Sequence, residues 1–192
     1  MTGRTWLKHF AKIIDDKYQE KQWTDSNWTE FLGKVLDGVA RKMKCRVARR
    51  RVPPKNDSGE YLGIDALFID RSQYKKVDDK SQWNPIGFPR AAVEMENHPN
   101  EARIFYALWK ILCVRVPIRV LICYQPDQIK ANSLRKHLQD RIRRGRLMKR
   151  IDGDLLILIG NESVKEESAW SDYFTVYQWR NERLQKVKIP EW

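Results

Sequence analysis

The sequence predicts a single α/β domain spanning residues 1–192, with a mixed sheet and helices on its faces. Three observations lead there. Apolar residues recur at three and four through most of the first forty positions, the helical period. Three β-forming segments then follow one another without an intervening helix, and the chain afterwards returns to alternation of helix and strand. Consecutive strands joined by turns pair antiparallel, whereas a strand reached through a helical crossover pairs parallel, so this order implies both kinds of pairing in one sheet.

The elements follow in order. Trp6, Leu7, Phe10, Ile13, Ile14 and Tyr18 mark a first amphipathic helix, and Trp28, Phe31, Leu32, Val35, Leu36, Val39 and Met43 a second, with the polar "TDSN" before it as N-cap. "CRVARRRV" is a strand ended by Pro53-Pro54; "KNDSGE" is a turn, and "YLGIDALFID" a second strand. From Arg71 to Pro89 the chain is polar and carries Pro85, Gly87 and Pro89, which reads as a long loop. "RAAVEMEN" is the third strand. Pro99 suits the first position of a helix through "NEARIFYALWKILC", and His98 before it reads as a cap. "IRVLICY" is a buried strand, a basic helix runs from about Asp127 to Arg144, "DLLILIG" is another strand, and "YFTVYQWRN" with "ERLQKVKI" forms a closing hairpin.

Composition narrows the function classes. With 42% hydrophobic residues and eight Trp the chain is a folding one, not a disordered tail. Its formal charge of +12 points to a polyanionic partner, nucleic acid first and an anionic membrane surface second. Cys45, Cys113 and Cys123 are odd in number and lack metal-type spacing; the last two lie in apolar runs that read as core, which suits reduced thiols of a cytoplasmic protein. "ALWKILCVRVPIRVLICY" is interrupted by Lys110, Arg115, Pro117 and Arg119 and cannot cross a bilayer as one helix, so nucleic acid and no membrane is the expected partner.

The chemistry concentrates in three carboxylates set within apolar runs. On an extended strand Glu94 and Glu96 share one face, with Val93 and Met95 on the other. If "YLGIDALFID" lies beside this strand, Asp65 meets both glutamates near the strand end. Three such groups repel one another unless a hard divalent cation sits among them, and oxygen-only ligands suit Mg²⁺ or Mn²⁺. The bland alternatives are a strand-end Asp65 bonded to a turn, and an exposed edge strand whose glutamates pair with Arg90 or Arg103.

This arrangement resembles the PD-(D/E)XK nuclease superfamily over roughly Trp28 to Tyr124. Asp65 matches the motif Asp, Glu94 the acidic residue of the third strand, Met95 the variable position, and Glu96 stands where the family has Lys, an E-x-E pattern similar to the BamHI type of restriction endonuclease. The resemblance implies a restriction-endonuclease-like αβββαβ core and Mg²⁺-dependent hydrolysis of DNA phosphodiesters, with Asp65 and Glu94 on the metal and Glu96 orienting or deprotonating the water. Many members add a glutamate from the first core helix. Glu30 is the matching position, with Glu20 a weaker one, although Glu30 also fits a capping box with Asn27.

Positive charge is clustered. Between Lys130 and Arg150 nine Lys or Arg residues face one acid, Asp140, and a narrow stripe of Leu134, Leu138 and Ile142 leaves Arg135, Lys136, Arg141, Arg143, Arg144 and Arg146 for solvent or phosphate. Arg49, Arg50 and Arg51 make a second cluster at the exit of the first strand. DNA is therefore the expected partner. A non-catalytic nucleic-acid binder on the same scaffold, and a subunit of a larger complex that docks through the Trp-rich segments "EKQWTDSNW", "AWSDYF" and "IPEW", are the competing readings, and the loop carrying Trp83 reads as a recognition or dimerisation element.

Overall fold

The computed structural model describes residues 2–18, 28–49, 63–73, 88–150, 152–164 and 169–188. Helices α1 (Gly3–Tyr18) and α2 (Trp28–Lys42) precede the strands β1 (Cys45–Arg49), β2 (Ala66–Asp70) and β3 (Ala91–Glu96). Then come α3 (Glu101–Leu112), β4 (Ile118–Gln125), α4 (Gln128–Arg144), β5 (Asp154–Asn161), the short α5 (Trp170–Tyr173), β6 (Phe174–Arg180) and β7 (Arg183–Lys186). The strands form a seven-stranded sheet in sequence order, β1-β2-β3-β4-β5-β6-β7. Pairing is antiparallel from β1 to β3 and from β5 to β7, and parallel at β3–β4 and β4–β5. The expected α/β domain with a mixed sheet flanked by helices is the architecture found.

Two cores lie on the two sheet faces. One packs α1 and α2 on Ala66, Phe68, Ala91, Val93, Val120 and Ile122. The other packs α3 and α4 on Leu67, Ala92, Leu121, Cys123, Leu155 and Ile157. Crossovers between parallel neighbours are right-handed, and two taken in the same direction put both helices on one face. β4 and β5 are thus covered on both sides, which is why "IRVLICYQ" reads as a nearly unbroken apolar run.

Several local expectations are corrected. The cap of α3 is Asn100, whose side chain accepts from the backbone N–H of Ala102 and Arg103; Pro99 lies outside the helix, and the His98 ring accepts instead from the N–H of Asn100. The short Asn100 side chain reaches two free N–H groups of the first turn, so the helix starts just after it and leaves His98 and Pro99 outside. Cys45 and Cys123 are buried, but Cys113 is exposed because it follows the last turn of α3 and faces away from the sheet. Trp28 and Trp170 are not docking rings: both belong to an aromatic cluster with Phe10, Tyr124 and Phe174, in which the Trp28 indole donates to the Tyr124 hydroxyl at 2.6 Å. The "TDSN" cap, Pro53-Pro54 and its turn, Trp83 with most of its loop, Glu20, Trp23, Arg50, Arg51 and the segment "IPEW" lie outside the described residues.

Candidate active site

β2 and β3 run antiparallel with Ala66 opposite Val93, so one step further Asp65 stands opposite Glu94. Two hydrogen bonds join them. The Asp65 N–H donates to Glu94 Oε1 at 3.2 Å, and Asp65 Oδ2 accepts from the Met95 N–H at 2.8 Å. Each acid thus holds the other's strand, and Asp65 sits at the bend where the chain enters β2.

The side chain of Glu94 projects toward α3 and is almost fully buried, at 2% exposure. β3 is an interior strand, with β2 on one side and β4 on the other, so the reading of Glu94 and Glu96 as the solvent face of an edge strand does not hold. Nor does Arg90 serve them: its guanidinium pairs with Asp70. The partner of Glu94 is Lys110 of α3, whose ammonium lies 2.7 Å from Oε2 and also donates to the Gly63 carbonyl at 2.8 Å. Gly63 has φ of 61°, the left-handed region, which turns the chain so that this carbonyl faces the lysine. Burial and the neighbouring Asp65 charge together push the Glu94 carboxyl up to about 7, outweighing the hydrogen bond and charge of Lys110, which pull it down.

Glu96 lies on the same face of β3, two residues further out and half-buried, with Oε1 accepting from the His98 N–H at 2.9 Å. The expected meeting of three carboxylates is a meeting of two. Among the described residues no three His, Cys, Asp or Glu side chains come together as a metal cluster, and an ammonium occupies the third place beside Glu94. Glu30 is exposed on α2, the helix layer of the opposite face, and forms an i,i+4 pair with Lys34 at 2.7 Å. The N-terminal turn of α2 does reach the end of β3, where Asn97 donates to the Thr29 hydroxyl at 2.7 Å.

The basic residues divide differently from the sequence reading. α4 shares the sheet face of Glu94, but its last turn leads into the start of β5, at the end of the sheet opposite Glu96. There Arg143, Arg144 and Arg146 line an open cavity of about 710 Å³ with Asp140, Trp179 and Glu182. Lys136 is exposed on the middle of α4. Arg141 and Arg135 rest over rings, the former 4.6 Å from the Phe105 centroid and the latter 5.9 Å from that of Tyr177. Arg49 ends β1, on the far edge of the sheet.

Lys110 is the site residue that sequence reasoning missed. Its one visible signal is a lysine between Trp109 and Ile111 in an apolar helix, next to the buried stripe of Ile104, Ala107, Leu108 and Ile111. No helix among the described residues is long and apolar enough to cross a membrane. No protein-family model, no curated protein and no solved structure matches this chain.

Proposed function

We propose that this chain is a metal-dependent endonuclease that hydrolyses phosphodiester bonds in DNA, built on a PD-(D/E)XK-like core. The observation that carries the reading is the Asp65–Glu94 pair: two facing carboxylates, one at the entry to β2 and one on β3, locked by backbone hydrogen bonds, the latter buried beneath a helix. The order α2-β1-β2-β3-α3-β4 supports it, since it repeats the αβββαβ order of that superfamily.

The donor set fits Mg²⁺ or Mn²⁺. Two adjacent carboxylates supply hard oxygen ligands, the number that such ions take from a protein while water fills the rest of their shell. A cation there would also favour ionised Glu94, which burial and Asp65 now disfavour. When bound, the ion lowers the pKa of a coordinated water and offsets charge on the phosphoryl oxygens. Asp65 and Glu94 would hold it. Lys110, beside Glu94 Oε2, has three donors on a four-carbon stem and would meet the phosphate or the water from there. Glu96, at the outer end of β3 with one oxygen accepting from the His98 N–H, would orient or deprotonate the water. The exposed cations of α4 supply phosphate contacts at a distance.

A second reading is a non-catalytic nucleic-acid binder in which the Lys110 ammonium permanently serves as the counter-charge of Glu94, and the 2.7 Å ion pair favours it. Supercoiled plasmid incubated with Mg²⁺ or Mn²⁺ separates the two. Nicked and linear products that vanish with EDTA support the nuclease, and intact plasmid under both ions, with retained DNA binding, supports the binder.

A further inference from the structure

Tyr106 and Trp109 of α3 are large rings that the fold leaves in solvent, 60% and 46% exposed. Their centroids are 5.9 Å apart and their planes 25° from parallel, so they form a short stack on the outer side of the helix. The stack adjoins the carboxylates. The Lys110 ammonium lies 5.8 Å from the Tyr106 centroid and 2.7 Å from Glu94 Oε2. One turn before Tyr106, Arg103 is also exposed.

We infer that Tyr106 and Trp109 are a stacking platform for unpaired nucleobases, placed so that a single-stranded or branched segment of nucleic acid is held beside the Asp65–Glu94 pair. This deepens the nuclease reading by naming its substrate class, and it rests on that reading only for what happens to the phosphate. In a duplex each base face is covered by its neighbours, so exposed rings find a partner only at ends, flaps and loops. Base–aromatic stacking is tolerant of sequence and is paired with cations that track the backbone. Arg103, exposed one turn before Tyr106, supplies such a cation beside the rings, in a chain of formal charge +12. Two rings beside a cation make a poor protein-docking patch, since such patches are contiguous apolar surfaces of several hundred Å².

The test is binding in EDTA, read by fluorescence anisotropy, of three labelled DNAs: an oligo-dT single strand, a blunt duplex, and the same duplex with an unpaired dT flap. Tyr106→Ala and Trp109→Ala should each weaken single-strand and flap binding by about 5- to 100-fold, the span for one lost stacked base, with duplex binding changed by less than about twofold. Trp109→Phe, which keeps a ring, should retain most of the affinity, and thermal melts followed by circular dichroism show whether each variant is folded. Equal losses on duplex and single strand, or no loss on either, overturn the platform. So does a dimer seen by sedimentation in the wild type and lost in the Ala variants while DNA binding stays intact, which assigns the rings to a second copy of the chain. Because no metal is present, the two readings fail separately. Flap selectivity without any cleavage removes the nuclease alone, and cleavage indifferent to unpaired bases removes the platform alone.

Discussion

Glu94 and Arg119 are both buried charges, on neighbouring strands and facing the same helix layer, yet the fold treats them in opposite ways. The Arg119 guanidinium, 3% exposed, donates to three backbone carbonyls: Nε to Ile111 at 3.1 Å, Nη1 to Asp152 at 2.9 Å and Nη2 to Val114 at 2.8 Å. All three nitrogens are satisfied by fixed dipoles, two of them at the end of α3, where carbonyls lack helical partners. Glu94 has one side-chain ammonium, one backbone N–H and an acidic neighbour, and its carboxyl is displaced to about 7. A charge answered by backbone carbonyls staples elements together. One answered by a single lysine and opposed by another acid is poised to exchange its partner for a proton or a cation.

The largest effect expected from this contrast is on cleavage. Glu94→Gln should reduce plasmid cleavage by about 10² to 10⁴ in a chain that still unfolds cooperatively, because the amide keeps the shape but neither holds the cation nor carries charge. Wild-type rates in this variant would place the active site elsewhere.

Arg119→Met should spare the chemistry and harm the fold. Removing the guanidinium leaves buried carbonyls without donors, a loss of about 3 to 5 kcal/mol measurable by urea unfolding, with activity per folded molecule unchanged. A variant as stable as wild type would mean that water replaces the guanidinium and that no staple exists.

In the metal-free protein the pH dependence of stability should carry the signature of Glu94. An unfolded glutamate loses its proton near 4.5 and the folded one near 7, so the folded chain binds more protons in that window. Stability from this group is complete below pH 4.5 and lost as pH rises through 7, by at most about 3 kcal/mol. Urea midpoints taken across that range should show the decline in wild type and lose it in Glu94→Gln, and identical slopes would rule out the raised carboxyl.

The smallest effect lies at the far end of the sheet. Replacing Arg141, Arg143 and Arg144 with Ala should lower the slope of log K against log salt for DNA binding by up to roughly 0.9 per lost phosphate contact. An unchanged slope would leave that end of α4 as a solvated face.

Legibility in the sequence followed the range of the interaction. The stripes of α2 and α4 and the alternation of β3 are local periodicities, and they placed Leu134, Leu138, Ile142 and Val93 in the core as expected. Asp65 and Glu94 drew attention because carboxylates interrupt apolar runs, a composition signal that needs no partner to be seen. Cys113 misled because an apolar neighbourhood in sequence does not say which side of a helix end faces the sheet.

By itself the sequence determined which segments are strands and helices, their order, and the two acids that stand out, because side-chain period and desolvation cost are properties of short stretches. Only the tertiary structure decided that α3 covers the acidic face of β3, with α4 beside it on β4 and β5, and that Lys110, sixteen residues beyond Glu94, is its counter-charge. It also put the arginine-rich end of α4 at the opposite end of the sheet from Glu96. Those facts depend on crossover handedness and on register across three elements. No local window contains them.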